Sequence, residues 1–308
     1  MPAITIENIN KCYADKVLAL KDINLSIEAG EIFGLVGPDG AGKTTLFNIM
    51  TTLLFPDSGK ITLLGLDVEA DYKKVRQIIG YLPGVFSLYP DLTVEENLIF
   101  FATMYKSSIK ENMGIIKPIW MQLSPFKKRR AGKLSGGMKQ KLALCCALIH
   151  RPEILFLDEP TTGVDPVSRK EFWDILKNIQ KKGITVVVST PYMDEATRCD
   201  RISLIQSGEI IEINTPEQII KNFKGELYNI PTNTIFSLLE VMEKAPFKVS
   251  YYPYGESLHV VFYDSDRKAL EEFKQFLNSA GQQYGEITKI APSIEDCFIE
   301  LMQIKRNV

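Results

Sequence analysis

The sequence is short of cysteine, of histidine and of long apolar runs, and each shortage excludes a class of protein. Five cysteines in 308 residues, two of them adjacent at Cys145 and Cys146, make neither a disulfide framework nor a metal-ligand spacing. They read as reduced thiols in a cytosolic core. No run of about 18 apolar residues exists, and the greasiest stretch, Ile154-Leu155-Phe156-Leu157, is only strand-length, so nothing is expected to span a membrane. The start lacks the basic opening and apolar centre of a signal peptide, and goes straight into strand-like alternation. Charge of one sign is missing too: a net charge of −2 argues against a dedicated nucleic-acid binder. Neither a low-complexity stretch nor a clear internal repeat is present. With 45% hydrophobic and 24% charged residues the chain is globular, which excludes a disordered or fibrous protein.

What is present is length enough for one large domain and a smaller one. From residue 1 to 222, β-branched runs alternate with helical patterns, the mark of an α/β layer with a largely parallel sheet. Buried strands are expected at 31–36, 79–82, 154–157 and 185–189. Between 91 and 150 the strand signals stop. Val94, Leu98, Phe101 and Tyr105 recur at helical spacing, another helix is expected over 135–149, and the stretch reads as a helical insertion. Beyond a boundary near 223, the order strand, helix, two strands, helix, strand and last helix predicts a ferredoxin-like α+β domain over 223–308.

Gly37-Pro38-Asp39-Gly40-Ala41-Gly42-Lys43-Thr44 follows an apolar strand and opens a helix that continues with Thr45. Such glycines let backbone N–H groups converge on phosphate oxygens, and the helix start adds positive potential. Lys43 is placed for the β- and γ-phosphates and the Thr44 hydroxyl for Mg²⁺. The strand 154–157 ends in Asp158 and Glu159. Asp158 suits a water-mediated hold on Mg²⁺, and Glu159 is placed to polarise an attacking water. A nucleoside triphosphate site follows, with the means for hydrolysis at least partly present.

Leu134-Ser135-Gly136-Gly137-Met138 lies at a helix start shortly before that strand. With the two elements above, the first domain resembles the ATP-binding cassette family, a P-loop NTPase core with a helical subdomain. The resemblance implies head-to-tail dimers in which Ser135, Gly136 and Gly137 complete the partner's ATP site, offering a hydroxyl, backbone N–H groups and a helix N-terminus to the γ-phosphate. It implies that Tyr13 stacks on adenine, with an ordinary surface tyrosine as the alternative. It places Asp165, in Thr162-Gly163-Val164-Asp165, in the loop that crosses the dimer interface. Residues 87–97 match the segment that faces a membrane subunit's coupling helix, with Phe86 and Tyr89 expected at the contact and Leu98 and Phe101 in the core. Met138-Lys139-Gln140, Tyr192-Met193-Asp194-Glu195-Ala196 and Pro292-Ser293-Ile294-Glu295-Asp296 resemble ATPases of ABC-2-type exporters; Gly37-Pro38-Asp39-Gly40 is similar to the first cassette of tandem two-cassette members.

Two positions depart from the family pattern. The strand 79–82 and Pro83 should lead to a glutamine that contacts Mg²⁺, and Gly84 stands there. The strand 185–190 should lead to a histidine that bonds the γ-phosphate, and Pro191 stands there, with neither a polar side chain nor an N–H. His150 and His259 lie elsewhere and read as packed or solvated side chains. Asp39, commonly asparagine in the family, adds a negative group beside the phosphates.

The expectation is an ATPase that binds ATP and Mg²⁺ and drives a separate integral-membrane permease, held at the inner face of the cell membrane only through that permease. Its own site should turn over slowly, in a heterodimer or a homodimer with a second cassette. Two alternatives stand beside it: a purely nucleotide-binding partner of another cassette, and a non-transport cassette acting on ribosomes or nucleic acid. The latter rests on the basic run Lys127-Lys128-Arg129-Arg130 with Lys133. Nucleic acid is not expected, because a charge run beside a loop is commonly a solvated face.

Overall fold

The computed structural model describes residues 2–14, 17–263 and 267–306, and the chain divides into two units, 1–216 and 217–308. In chain order the first unit holds β1 (Pro2–Cys12), β2 (Leu18–Glu28), β3 (Ile32–Val36), α1 (Lys43–Met50), β4 (Ser58–Leu63), β5 (Leu66–Asp67), α2 (Tyr72–Ile78) and β6 (Ile79–Leu82). Then come α3 (Val94–Met104), α4 (Ile109–Leu123), α5 (Gly136–Leu148), β7 (Ile154–Asp158), α6 (Pro166–Gln180), β8 (Thr185–Thr190), α7 (Met193–Ala196), β9 (Arg201–Gln206) and β10 (Glu209–Asn214).

The central sheet has the order β10-β9-β3-β8-β7-β6, with every pairing parallel except the outer β10–β9 hairpin. Strands β3, β7 and β8 are buried along their whole lengths, as parallel strands covered on both faces are. A second sheet, β2-β1-β4-β5, is antiparallel throughout and shares no strand with this one. The alternation at the start of the sequence belongs to it, so the single, largely parallel layer expected for residues 1–222 is two sheets. Ile4, Ile6, Ile23 and Ile27 of the second sheet share a core with Phe47 of α1 and Phe156 of β7.

Helices α3, α4 and α5 fill the stretch where strand signals stop. Thr93 and Glu96 close a capping box on α3: the Glu96 N–H donates to Thr93 Oγ1 at 3.2 Å, and the Thr93 N–H to Glu96 Oε2 at 2.8 Å. Helix α4 contains Pro118, which has no N–H to give to Gly114 four residues back. Lys182 supplies the donor instead, its Nζ reaching Gly114 O at 2.7 Å.

The second unit begins at 217 rather than 223. Helix α8 (Pro216–Lys221) groups with it, and the carbonyl of Ile219 accepts the Cys297 thiol at 3.7 Å. After α8 come β11 (Glu226–Pro231), α9 (Ile235–Met242), β12 (Val249–Tyr254), β13 (Ser257–Phe262), α10 (Arg267–Ser279), β14 (Thr288–Ile290) and α11 (Ile294–Arg306). The sheet is antiparallel in the order β12-β13-β11-β14, and its core gathers Ile230, Leu238, Val260, Phe273 and Leu277. Ser293 caps α11, and Asp296 returns the bond to the Ser293 N–H at 2.7 Å. The same Asp296 carboxylate accepts from His259 Nδ1 at 2.7 Å and from Tyr252 Oη at 2.9 Å.

Candidate nucleotide site

Strand β3 delivers the chain to the phosphate loop at Gly37, whose N–H donates to Thr190 O at the end of β8 at 3.2 Å. A Cβ on Gly37 would stand 2.1 Å from Ile205 O, so only glycine lets the loop leave the sheet here. Gly42 has φ +104° and precedes α1, whose first residues are Lys43 and Thr44. Lys43 is buried at 3% exposure, and its Nζ donates to Gly37 O at 2.9 Å and Pro38 O at 3.0 Å. The Glu159 carboxylate lies 3.3 Å from the same ammonium and Asp39 at 3.8 Å.

The two acids after β7 are held differently. Asp158 is buried and accepts a hydrogen bond from Ser189 Oγ. Glu159 has φ +47°, the left-handed region, and its N–H is pinned by Ser189 O at 3.1 Å and Ser189 Oγ at 3.0 Å. That turn aims its side chain back at Lys43. Thr44, Asp158 and Glu159 border one cavity. The Thr44 hydroxyl and the Asp158 carboxylate are hard oxygen donors of the kind Mg²⁺ takes along with phosphate oxygens and water, so the residues present fit that ion. Among the described residues no cluster of three or more His, Cys, Asp or Glu is arranged to hold a metal. A two-oxygen hold supplemented by phosphates is what this donor set allows.

Tyr13 sits on the other side of the loop, 43% exposed, with its hydroxyl 3.3 Å from Thr45 Oγ1. Together with Leu18, Gly40, Lys43 and Thr45 it borders a cavity of about 340 Å³. A larger cavity, about 950 Å³, runs from Thr44 and Asp158 past Gly84 to Phe101 and Met104. The Cα of residue 84 lies over Asp158: a Cβ there would meet Asp158 O at 3.2 Å and Oδ2 at 3.9 Å. With no side chain at 84, the apolar groove is continuous with the end of the cavity bordered by Thr44 and Asp158. Burial and then the Asp158 carboxylate push the Tyr81 phenol in this wall well above its usual pKa.

Ser135 is the N-cap of α5, and its hydroxyl makes no capping bond. Gly137 packs on the first turn of α6, where a Cβ would stand 3.1 Å from Ser168 Oγ, and Gly136 faces Gly163 O. The glycine-rich helix start and the 162–165 loop therefore form one surface. Asp165 caps α6, accepting the Ser168 N–H at 2.9 Å, and that bond holds its carboxyl below the usual range. The structure does not bring Ser135, Gly136, Gly137 or Asp165 to this chain's own phosphate cavities.

Between β6 and α3, Val85 is 81% and Tyr89 47% exposed, while Leu98 is buried and Phe101 partly buried in the groove wall. Lys139 of α5 lies 5.3 Å from the Phe86 ring centre. Asn97, which the sequence places only as the last residue of the 87–97 segment, is fully buried and bonds Tyr89 O at 3.0 Å, Tyr89 N at 3.1 Å and Thr93 O at 3.0 Å, fixing the turn before α3. Its signal was faint, a polar residue in the buried stripe of a helix. In the basic run, Lys127 pairs with Glu95 at 3.4 Å and Arg129 lies over the Phe126 ring. His150 stacks on Tyr105 at 3.8 Å and His259 is buried in the second unit; neither borders the phosphate cavities.

A model of the ABC transporter family matches residues 20–162. The chain is 36% identical over 253 residues to a Nod factor export ATP-binding protein I of Burkholderia lata, a match that covers 79% of this chain and 83% of that one. The chain belongs to the ABC transporter family. It is 42% identical over 226 residues to the probable multidrug ABC transporter ATP-binding protein YbhF of Escherichia coli, covering 70% of this chain but only 38% of that one, so it spans well under half of that relative's length. Among solved structures, an ATP-binding cassette dimer in a post-hydrolysis state with ADP and Pi is 29% identical, with TM-score 0.62, covering 69% of this chain and 98% of that one. CbiO1 of Clostridium perfringens, part of an ABC transporter complex, is also 29% identical, with TM-score 0.64, covering 72% and 91%. The cassette fold expected from the sequence is thus the fold of ABC ATPases, and no helix among the described residues is long and apolar enough to cross a membrane.

Proposed function

We propose that this chain is the ATP-binding subunit of an export system, in which ATP binding and slow hydrolysis are coupled to a separate membrane permease. The observation that carries the reading is Lys43, buried among the Gly37 and Pro38 carbonyls with Glu159 at 3.3 Å, at a helix start that also presents Thr44. The similarity to Nod factor export and multidrug ATP-binding proteins supports export as the direction.

In this reading Tyr13 stacks on adenine, and residues 37–42 turn their N–H groups to the phosphates. Lys43 neutralises the β- and γ-phosphate charge, and Thr44 and Asp158 would hold Mg²⁺, which would supply neutralisation of the charge that develops in phosphoryl transfer. Glu159 orients a water and accepts its proton as the oxygen attacks the γ-phosphorus; the β–γ bridging oxygen leaves with ADP. Ser135, Gly136, Gly137 and Asp165 act on a second cassette, head to tail, and the groove beside Gly84, with exposed Val85 and Tyr89, receives a segment of the permease. The protein then stands at the inner face of the membrane through that permease. The dominant partner arrangement is a heterodimer, since Gly84 and Pro191 leave this chain's site short of two polar groups while its helix-start residues are intact.

Calorimetry with ATP and Mg²⁺ tests the binding half. Lys43→Ala should weaken binding by about 2–5 kcal/mol, the cost of truncating one partner of a buried charge pair. Equal affinity in a folded variant would remove the reading.

A further inference from the structure

Glu195, on the four-residue helix α7, is 2% exposed, and a carboxylate so buried is costly unless several groups satisfy it. Thr161 Oγ1 donates to its Oε1 at 2.7 Å and Thr190 Oγ1 to its Oε2 at 2.6 Å. Arg169 of α6 brings Nε within 3.7 Å of Oε1, with its guanidinium 4.3 Å from the Tyr192 ring centre. Arg169 Nε is buried and forms no hydrogen bond, so the cation compensates charge without fixing geometry; the two hydroxyls fix it.

Those hydroxyls stand where the chain leaves β7 and β8, beside the phosphate loop. Thr161 lies two residues after Glu159, in the turn closed by Thr162 N–H to Glu159 O at 3.2 Å. Thr190 immediately precedes Pro191; its Oγ1 also accepts the Tyr192 N–H at 3.1 Å, and its carbonyl accepts the Gly37 N–H at 3.2 Å. One carboxylate therefore ties the turn carrying Glu159 to the turn carrying Pro191 and, through Thr190, to the phosphate loop.

We propose that Glu195 is a positioning residue for the nucleotide site, locking the Glu159 turn and the Pro191 turn together through the Thr161 and Thr190 hydroxyls. A proline at 191 can offer the phosphates nothing, so this segment acts by being held rather than by contact. The assignment of a role to Glu159 rests on the proposed ATPase reading; the lock between the two turns does not.

The test uses the full chain and near-isosteric variants. Thr161→Val and Thr190→Val each remove one hydroxyl, Thr161→Ser and Thr190→Ser restore it, and Glu195→Gln removes the charge. Amide hydrogen exchange is followed in segments 159–164 and 189–193. Thr161→Val should speed exchange in 189–193, and Thr190→Val in 159–164, by about threefold or more, the lower range for coupled contacts. The serine variants should return both segments to wild-type rates, and on a Glu195→Gln background the cross-effects should shrink. In the same variants ATP affinity should stay within about threefold while any turnover falls by about tenfold, the loss of one hydrogen bond to a charged acceptor. Effects confined to the mutated turn, or spread equally over the whole chain, would overturn the lock. Absence of ATP binding in the wild type would instead sink the ATPase reading and leave the exchange result to stand alone.

Discussion

At the scale of single residues, the site is defined by what competes for Lys43. Its ammonium already faces two carbonyls and the Glu159 carboxylate, so a γ-phosphate binding there, as proposed, would compete with Glu159 for it. Asp39 adds little to this contest, because it is 3.8 Å away and its side chain is 88% exposed, where solvent screens it. In the proposed reading it is instead the absence of polar groups at 84 and 191 that slows turnover. Losing one well-placed donor to developing charge costs about 10²–10³ in rate in other enzymes. Gly84→Gln with Pro191→His should therefore raise steady-state turnover by about 10²-fold while ATP affinity barely changes. A Cβ at 84 has to press Asp158 O back only slightly from 3.2 Å, so the variant is expected to fold. An unchanged rate in a folded double variant would show that other groups already supply what these two positions lack.

At the scale of elements, two helices depend on side chains far away in sequence. Helix α4 survives Pro118 because Lys182 donates to Gly114 O at 2.7 Å. Lys182→Met should cost about 1 kcal/mol by chemical denaturation, and much less on a Pro118→Ala background, where the chain regains its own donor. The same cost in both backgrounds would contradict this account of α4. Helix α11 is fastened by Asp296. Burial pushes that carboxyl up, but bonds from His259, Ser293 and Tyr252 pull it down further, to about 2 against an ordinary 3.8. A depressed carboxyl stabilises the fold while ionised, so its contribution is complete above about pH 4 and is lost as pH falls through about 2. Thermal unfolding of the wild type should worsen across that window, and Asp296→Asn should flatten the slope; parallel curves would contradict it.

These elements also show what sequence can and cannot carry. The phosphate loop, the strand ending in Asp158 and Glu159, and the helix after Ser135 were legible because each is a contiguous pattern whose chemistry is local. Helix α4 was not, because Gly114 and Pro118 break its pattern and its rescue by Lys182 comes from 68 residues away. The pairing of β1 with β2 and β4 was hidden for the same reason: alternation says strand, but not which sheet. Glu195 reads as one more acid in a polar helix, since its partners Thr161 and Thr190 lie 34 and 5 residues off.

At the scale of the whole molecule, the two surfaces of the first unit make unequal offers. The helix start at Ser135 to Gly137 and the Asp165 cap are complete, while the chain's own site keeps Lys43, Thr44, Asp158 and Glu159 but presents Gly84 and Pro191. On the proposed function, a chain so built should serve a partner's nucleotide better than its own. The direct test is steady-state ATP hydrolysis by the purified chain, alone and mixed with a second cassette that keeps the glutamine and histidine. The chain alone should bind ATP yet turn over roughly 10²-fold more slowly than the mixture. Fast turnover by this chain alone, abolished by Glu159→Gln, would contradict the account.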